Sequence, residues 1–115
     1  MSETEAKALL DINLIQKQVG EWSLKNFGHE GKLHHPILGV GEEAGELNHA
    51  FLKQEQGIRG TSLDHDAAMK DAIGDIVIYL LDLCYRKKFN FGQIVVDTWL
   101  NVKNRDWKKN QQTGS

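Results

Sequence analysis

Two short acidic segments hold the residues best suited to chemistry. Residues 42–46 read EEAGE and residues 71–75 read DAIGD, and both lie in stretches with helical periodicity. A helix places residues three or four positions apart on one face, so the acids of each segment project side by side. If the two helices pack together, the like charges cannot all stay ionised without a cation. We expect Mg²⁺, with Mn²⁺ as a substitute, because Mg²⁺ binds through few carboxylates and keeps positions for water and phosphate. The predicted ligands are Glu43, Glu46, Asp71 and Asp75.

The elements that position these acids are predicted from apolar spacing. The pattern indicates four helices, which run from Glu5 to Phe27, from about Leu38 to Gln56, from near Asp64 to about Lys87, and from Asn90-Phe91 to near Lys109. Asp64 is the expected cap of the third helix. The β-branched run 76–78 is also compatible with a strand, but the acids around it share a helical face, which favours a helix. Residues 28–36 carry two glycines, three histidines and the only proline, which indicates a loop.

Four amphipathic helices with short connections predict a single all-α domain over residues 1–109, built as a four-helix bundle, with a disordered tail at 110–115. A chain of 115 residues has room for one modest core. The third helix is apolar on nearly all sides and needs a further partner surface. We therefore expect oligomerisation to complete the bundle, as a homodimer or a homotetramer.

The composition indicates which type of binding partner and which cellular compartment to expect. The net charge is −2, with 14 basic and 16 acidic residues, so no basic field points to a nucleic-acid polymer. Cys84 is the only cysteine, and its apolar neighbours indicate a buried, reduced thiol in a cytoplasmic protein. The acidic N-terminus does not resemble a secretory signal. The longest apolar run is also too short to cross a membrane, so no membrane association is expected.

The acidic segments and their flanks resemble a known family. Residues 38–47 (LGVGEEAGEL) and 70–77 (KDAIGDIV) are similar to the two motifs of the MazG-type all-α nucleoside triphosphate pyrophosphohydrolases. These motifs are two adjacent glutamates with a third three positions later, and then a Glu-x-x-Asp pair on the next helix. Residues 101–103 (NVK) also look like the Asn-x-Lys segment of the family's last helix. The resemblance spans roughly residues 22–107.

The resemblance implies a fold, a reaction and roles for particular residues. It implies Mg²⁺-dependent hydrolysis of a nucleoside triphosphate to a monophosphate and diphosphate. Glu43, Glu46 and Asp75 match the metal-binding positions, and Glu42 matches a supporting or general-base position. Either Glu42 or Glu46 would orient or deprotonate the attacking water. Ala72 departs from the pattern, because the family has a glutamate there. Asp71, one turn before Asp75, is the nearest carboxylate that could replace it, and the number of metal ions stays open.

Substrate contacts are expected around the acids, because a triphosphate and carboxylates repel each other unless metal ions bridge them. Cations would neutralise the leaving diphosphate, although each candidate is also compatible with a solvated surface charge. Trp22 either stacks on a base or belongs to the core. Asn101 either binds a phosphate or sugar or lies on a helix surface. The histidines His34 and His35 either contact substrate or are solvated. The candidate cations are Lys53, Lys70, Lys103 and Arg105.

Three other functions remain open at this point. A dUTP-hydrolysing enzyme of the same superfamily would share the acidic pattern and differ in its base pocket. A di-iron or other metal-binding bundle could use the Glu-x-x-His pair of Glu46 and His49, although that design needs a second such pair. A non-catalytic helical assembly module would leave the acids solvated, which fits poorly with Asp71 and Asp75 on the most apolar helix.

Overall fold

The protein is a four-helix all-α domain. The computed structural model describes residues 2–3, 11–29 and 31–115. Within these ranges there is no β-strand, so the predicted fold class is confirmed and residues 76–78 are helical. None of the described helices combines the length and the apolar character that a membrane crossing requires. The helices are α1 (Ile12–Phe27), α2 (His34–Gln56), α3 (Ser62–Lys87) and α4 (Phe91–Val102).

Polar side chains cap three of the four helices. Asp11 accepts hydrogen bonds from the backbone N–H groups of Asn13 and Leu14 at the start of α1. The predicted part of this helix between residues 5 and 10 lies outside the described residues. Asn90 accepts a hydrogen bond from the N–H of Gln93 at the start of α4. Each cap satisfies N–H groups that the first helical turn leaves without a partner.

Three predicted boundaries are wrong. Helix α2 begins at His34, inside the expected loop, because Pro36 sits in the first turn, where a helix does not need its missing N–H. Thr61, rather than Asp64, is the N-cap of α3, and Asp64 completes a capping box by accepting a hydrogen bond from the Thr61 N–H. Helix α4 ends at Val102, and turns follow it instead of the predicted continuation to Lys109.

Helix α3 is the centre of the fold. It packs extensively against α2, to which residues 57–61 join it closely, and α1 packs on its C-terminal half. Helix α4 touches α1 and α3 but does not reach α2. Two glycines allow close approach to α3, because a Cβ at Gly20 would overlap the ring of Tyr85 and one at Gly39 would overlap the ring of Tyr79. This arrangement leaves a cleft between α1, α2 and the Tyr79 side of α3.

A buried polar network ties α1 to α3. The Oγ of Ser23 donates a hydrogen bond of 2.7 Å to Asp82 Oδ2, and Arg86 Nε donates one of 2.7 Å to Asp82 Oδ1. Arg86 also donates to Ser23 Oγ and to the backbone oxygen of His29. All three side chains are buried, so each charge and hydroxyl is satisfied by the others.

We predict that Arg86→Ala lowers the free energy of unfolding by about 3–5 kcal/mol, because it leaves the buried Asp82 carboxylate without its cation. The matched control is Lys17→Ala, which removes another i,i+4 pair, the one with Glu21, at a site where both side chains are exposed. That change should cost about 1 kcal/mol or less. Urea denaturation measures both values, and equal losses would contradict the structural role of the network.

Candidate functional site

The first acidic segment forms a cluster on one turn of α2. Glu42, Glu43 and Glu46 each offer a carboxylate oxygen, and these three atoms lie within 4.8 Å of one another. Glu42 and Glu46 are exposed, whereas Glu43 is only 7% exposed. The helix therefore points one carboxylate into the protein and keeps two beside it at the surface.

The carboxylate of Glu43 is buried without a neutralising partner. Its Oε2 atom is inaccessible to solvent and accepts no hydrogen bond from any residue in the described part of the chain. Burial raises the pKa of Glu43, and the negative charges of Glu46, Asp75 and Glu42 raise it further. A cation at this position would remove the electrostatic cost of ionising the group.

Asp75 of α3 faces the same cavity as Glu43. The cavity has a volume of about 240 Å³ and lies between α1, α2 and α3. Asp75 is half-buried, and no Lys or Arg among the described residues forms an ion pair with it. One acid from each predicted segment therefore lines one cavity. The lining residues are Val19, Trp22, Phe27, His35, Glu43, Asp75, Ile78, Tyr79 and Asp82.

Aromatic rings form much of the cavity wall. Phe27 contacts Trp22 edge to face, with ring centroids 5.5 Å apart, and lies 4.5 Å from the ring of His35. The His35 ring lies 6.0 Å from that of Tyr79. Burial raises the pKa of Tyr79, as do the nearby carboxylates, so its hydroxyl keeps its proton and remains a donor. Such a wall suits a flat ring with polar edges.

His35, which lines the cavity, carries a second buried polar atom without a partner among the described residues. Its Nδ1 is buried and makes no hydrogen bond to any described residue. The sequence predicts a loop at His35, but this residue lies in the first turn of α2. Its ring is half-buried against Phe27. Buried polar atoms without a partner are uncommon in folded proteins.

The acids of α3 differ in how they are neutralised. Asp82 also lines the cavity, but both of its oxygens already accept hydrogen bonds, one from Arg86 and one from Ser23. Asp75 lies two turns before Asp82 and has no such partners in the described part of the chain. Asp71 lies one turn before Asp75 and is exposed, and it does not line the cavity. Its role as a metal ligand stays a prediction.

The predicted cations are spread over the surface. Lys53 lies two turns beyond Glu46 on α2, and its Nζ donates a hydrogen bond to Gln56 Oε1. Lys70 is exposed on α3. Asn101 ends α4, Lys103 and Arg105 follow it, and within one chain α4 does not contact α2. The structure therefore does not bring these last three residues to the acidic cluster of their own chain, and their roles stay predictions.

Several residues of this region were not identified from the sequence as functional. Tyr79 follows Asp75 by four positions, which places both on one helical face, so the spacing could have identified it. Asp82 and Arg86 have the same spacing with opposite charge, which is the pattern of an i,i+4 pair. Phe27 reaches the cavity only through the packing of α1 on α3, and no local sequence signal indicates that.

Comparisons of the chain with protein-family models, with curated proteins and with solved structures found no match. They assign no family. The all-α architecture and the site rest on the residues and contacts described above.

We predict that, without divalent metal, the contribution of Glu43 to stability falls as the pH rises above about 4.3, the ordinary pKa of glutamate. The raised pKa means that folded Glu43 holds its proton more tightly than unfolded Glu43. The Glu43 contribution to the free energy of unfolding therefore decreases as the pH rises from the unfolded-state pKa towards and through the folded-state pKa. Glu43→Gln should be more stable than the wild type above this interval and gain nothing below it. Thermal unfolding across the pH range measures the difference.

The control is Glu55→Gln, which makes the same chemical change at an exposed position of α2 outside the cluster. It should leave the pH profile unchanged. Mg²⁺ should raise the wild-type melting temperature more at pH 8 than at pH 5 and should have a smaller effect on Glu43→Gln. A wild-type profile that coincides with that of Glu43→Gln at every pH would contradict the assignment.

Proposed function

We propose that this protein is a Mg²⁺-dependent nucleoside triphosphate pyrophosphohydrolase of the MazG type. The observation that carries the proposal is the buried Glu43 carboxylate, which has no cationic partner among the described residues and lines a cavity walled by aromatic rings. An acidic cluster alone would fit many proteins. An unneutralised acid beside a pocket for a flat ring fits a ligand with both a polyphosphate and a base.

Glu43, Glu46 and Asp75 are the residues that would hold the metal ion. All three are hard oxygen ligands, which suit Mg²⁺. Glu43 and Glu46 offer oxygens within a single turn, and Asp75 lies close enough to raise the pKa of Glu43. The ion would neutralise phosphate charge and polarise the P–O bonds of the substrate. Without it, the cluster would repel a triphosphate.

The chain supports fewer carboxylate ligands than the family pattern implies. Ala72 occupies the position of the missing glutamate and is only 2% exposed, so it belongs to the core between the helices. Asp71, the nearest substitute, is exposed. The three remaining ligands favour a single tightly held ion, with any second ion bound mainly through the substrate.

The aromatic cavity would take the base of the nucleotide. Trp22 and Phe27 offer apolar surface, while the Tyr79 hydroxyl can form a hydrogen bond with a heteroaromatic edge. Trp22 is 54% exposed, which leaves room for stacking. The Ser23–Asp82–Arg86 network would keep the floor of this cavity rigid.

The acids that remain exposed would activate water. Glu42 borders the metal cluster and is solvated, so it can accept a proton from a water that attacks the α-phosphorus. The new bond joins the water oxygen to the α-phosphorus. The bond from the α-phosphorus to the bridging oxygen of the β-phosphate breaks, and diphosphate leaves with that electron pair. The products are a nucleoside monophosphate and diphosphate.

The two other helical-bundle functions, a di-iron site and a non-catalytic module, receive less support. His49 is exposed and does not belong to the acidic cluster, so the Glu46–His49 pair lacks the convergent ligands of a di-iron site. A purely structural module gives no reason for the unneutralised Glu43. The dUTP-hydrolysing type shares all of these features and is separated by substrate preference.

We predict that the protein with Mg²⁺ converts at least one ribo- or deoxyribonucleoside triphosphate to its monophosphate and diphosphate. Glu43→Gln, Glu46→Gln and Asp75→Asn should each lower kcat/KM at least about 100-fold, because each change removes a metal ligand. Chromatography of the nucleotide products, together with separate assays for diphosphate and orthophosphate, measures the reaction across a panel of substrates.

The control is again Glu55→Gln, which should retain wild-type turnover, and circular dichroism should find all variants equally helical. Turnover of dUTP alone would favour the dUTP-hydrolysing alternative. Release of orthophosphate without diphosphate would contradict attack at the α-phosphorus. Absence of turnover with every nucleotide would refute the proposed activity.

A further inference from the structure

Helices α1 and α2 both line the cavity without packing against each other. Each of them packs on α3, and within the described helices no close backbone approach joins α1 to α2. The connection of residues 28–33 and the ring contact between Phe27 and His35 span the gap, since Phe27 ends α1 and His35 lies in the first turn of α2. The spacing of these two rings therefore depends on how the connection is held.

A single side chain of α3 holds this connection. Arg86 Nη1 donates a hydrogen bond of 2.6 Å to the backbone oxygen of His29, which lies two residues after Phe27. The other hydrogen bonds of the connection, among the described residues, stay within it or reach only the adjoining helix turn. Local bonds of that kind do not fix the connection relative to α3.

Arg86 distributes its donors over three parts of the chain. Its Nε donates to Asp82 on the same helix, its Nη2 donates to Ser23 on α1, and its Nη1 donates to His29 in the connection. The bond from Nε already places a cation beside Asp82, so neutralisation of this carboxylate does not explain the bond to His29. A guanidinium offers these donors in a fixed planar fork, whereas a lysine ammonium is a single point charge.

We propose that Arg86 is a positioning residue for the aromatic side of the cavity. By holding the His29 carbonyl, it fixes the end of α1 relative to α3, and with it the Phe27 ring against the ring of His35. The positioning role rests on the proposed function, in which the cavity takes the base of a nucleotide. It adds a residue that acts on the substrate through the aromatic wall and does not touch it.

The proposed metal ligands are held by other contacts. Glu43 and Glu46 lie on α2, and Asp75 lies about three turns before Arg86 on α3, roughly 16 Å along the helix. Packing of α2 on α3 brings these acids together, and none of the Arg86 hydrogen bonds contributes to that packing. Loss of the bond to His29 should therefore weaken substrate binding more than it slows the chemical step.

Proton NMR of the His35 ring tests the proposal without nucleotide or metal. The Phe27 ring, at a centroid distance of 4.5 Å, shifts the carbon-bound protons of His35 through its ring current. Phe27→Leu gives the reference value without that ring, at the same pH. Arg86→Lys keeps a cation beside Asp82 but cannot supply all three donors, so its His35 signals should move at least about half of the way towards the reference.

Two controls separate positioning from stability. Ser23→Ala removes hydrogen bonds from the same buried network but leaves the bond from Arg86 to His29. It should lower the urea midpoint and keep the His35 signals at their wild-type positions. Arg59→Lys makes the same chemical change at an exposed arginine and should alter neither quantity. His35 signals that stay in place in Arg86→Lys, or that move equally in Ser23→Ala, would overturn the proposal.

A double variant covers the case in which Arg86→Lys does not fold. Asp82→Asn combined with Arg86→Gln removes both charges together, so no unpaired charge is buried. The shorter glutamine side chain also lacks the donor that reaches His29. The His35 signals should move towards the Phe27→Leu reference here as well, and signals at their wild-type positions would contradict the positioning role.

Nucleotide kinetics test the link between the ring positions and the reaction. With a substrate that the wild type hydrolyses, Arg86→Lys should raise KM roughly tenfold and change kcat less than about twofold. Arg59→Lys should match the wild type in both constants. An unchanged KM, or a fall in kcat as large as the rise in KM, would overturn the role in substrate binding. A wild type without turnover would refute the proposed enzyme, and the NMR result alone would then decide whether Arg86 positions the rings.

Discussion

The structure depends on how the chain treats two buried carboxylates that face one cavity. Asp82 receives hydrogen bonds from Arg86 and Ser23, so its charge is balanced within the protein. Glu43 receives no comparable partner in the described chain, and the acids around it raise its pKa further. Ionising Glu43 at neutral pH costs free energy unless a cation binds. The cavity therefore has a neutralised carboxylate, Asp82, on one side and an unneutralised one, Glu43, on the other. Metal and phosphate would meet at Glu43.

Helix α3, the centre of the fold, connects the residues around these two carboxylates. This helix carries Asp75 and Asp82 on one side, two turns apart, together with Tyr79 between them. Helix α1 is fastened to it through Ser23, and α2 approaches closely at Gly39. Both contacts adjoin the cavity, because Asp82 and Tyr79 line it. A small core is enough to position the site.

Much of this arrangement is predictable from local sequence, because helical spacing acts over short distances. The all-α class, the four helices and the acidic faces follow from periodicity alone. The boundaries of the helices are harder to predict. Helix α2 begins at His34 because a first turn tolerates Pro36. Helix α4 ends at Val102, although its apolar pattern gives no clear stop signal. Contacts between helices are harder still. The neutralisation of Asp82, the isolation of Glu43 and the arrival of Phe27 at the cavity depend on packing across the chain.

The most direct test of the central claim is a Mn²⁺ titration followed by electron paramagnetic resonance, because the free ion and the bound ion give different signals. We expect saturable binding to the wild type that Glu43→Gln and Asp75→Asn each weaken at least about tenfold, and that Mg²⁺ displaces. Wild-type protein that leaves Mn²⁺ free, or binding that is unchanged in both variants, would contradict the claim that this cavity holds a divalent cation.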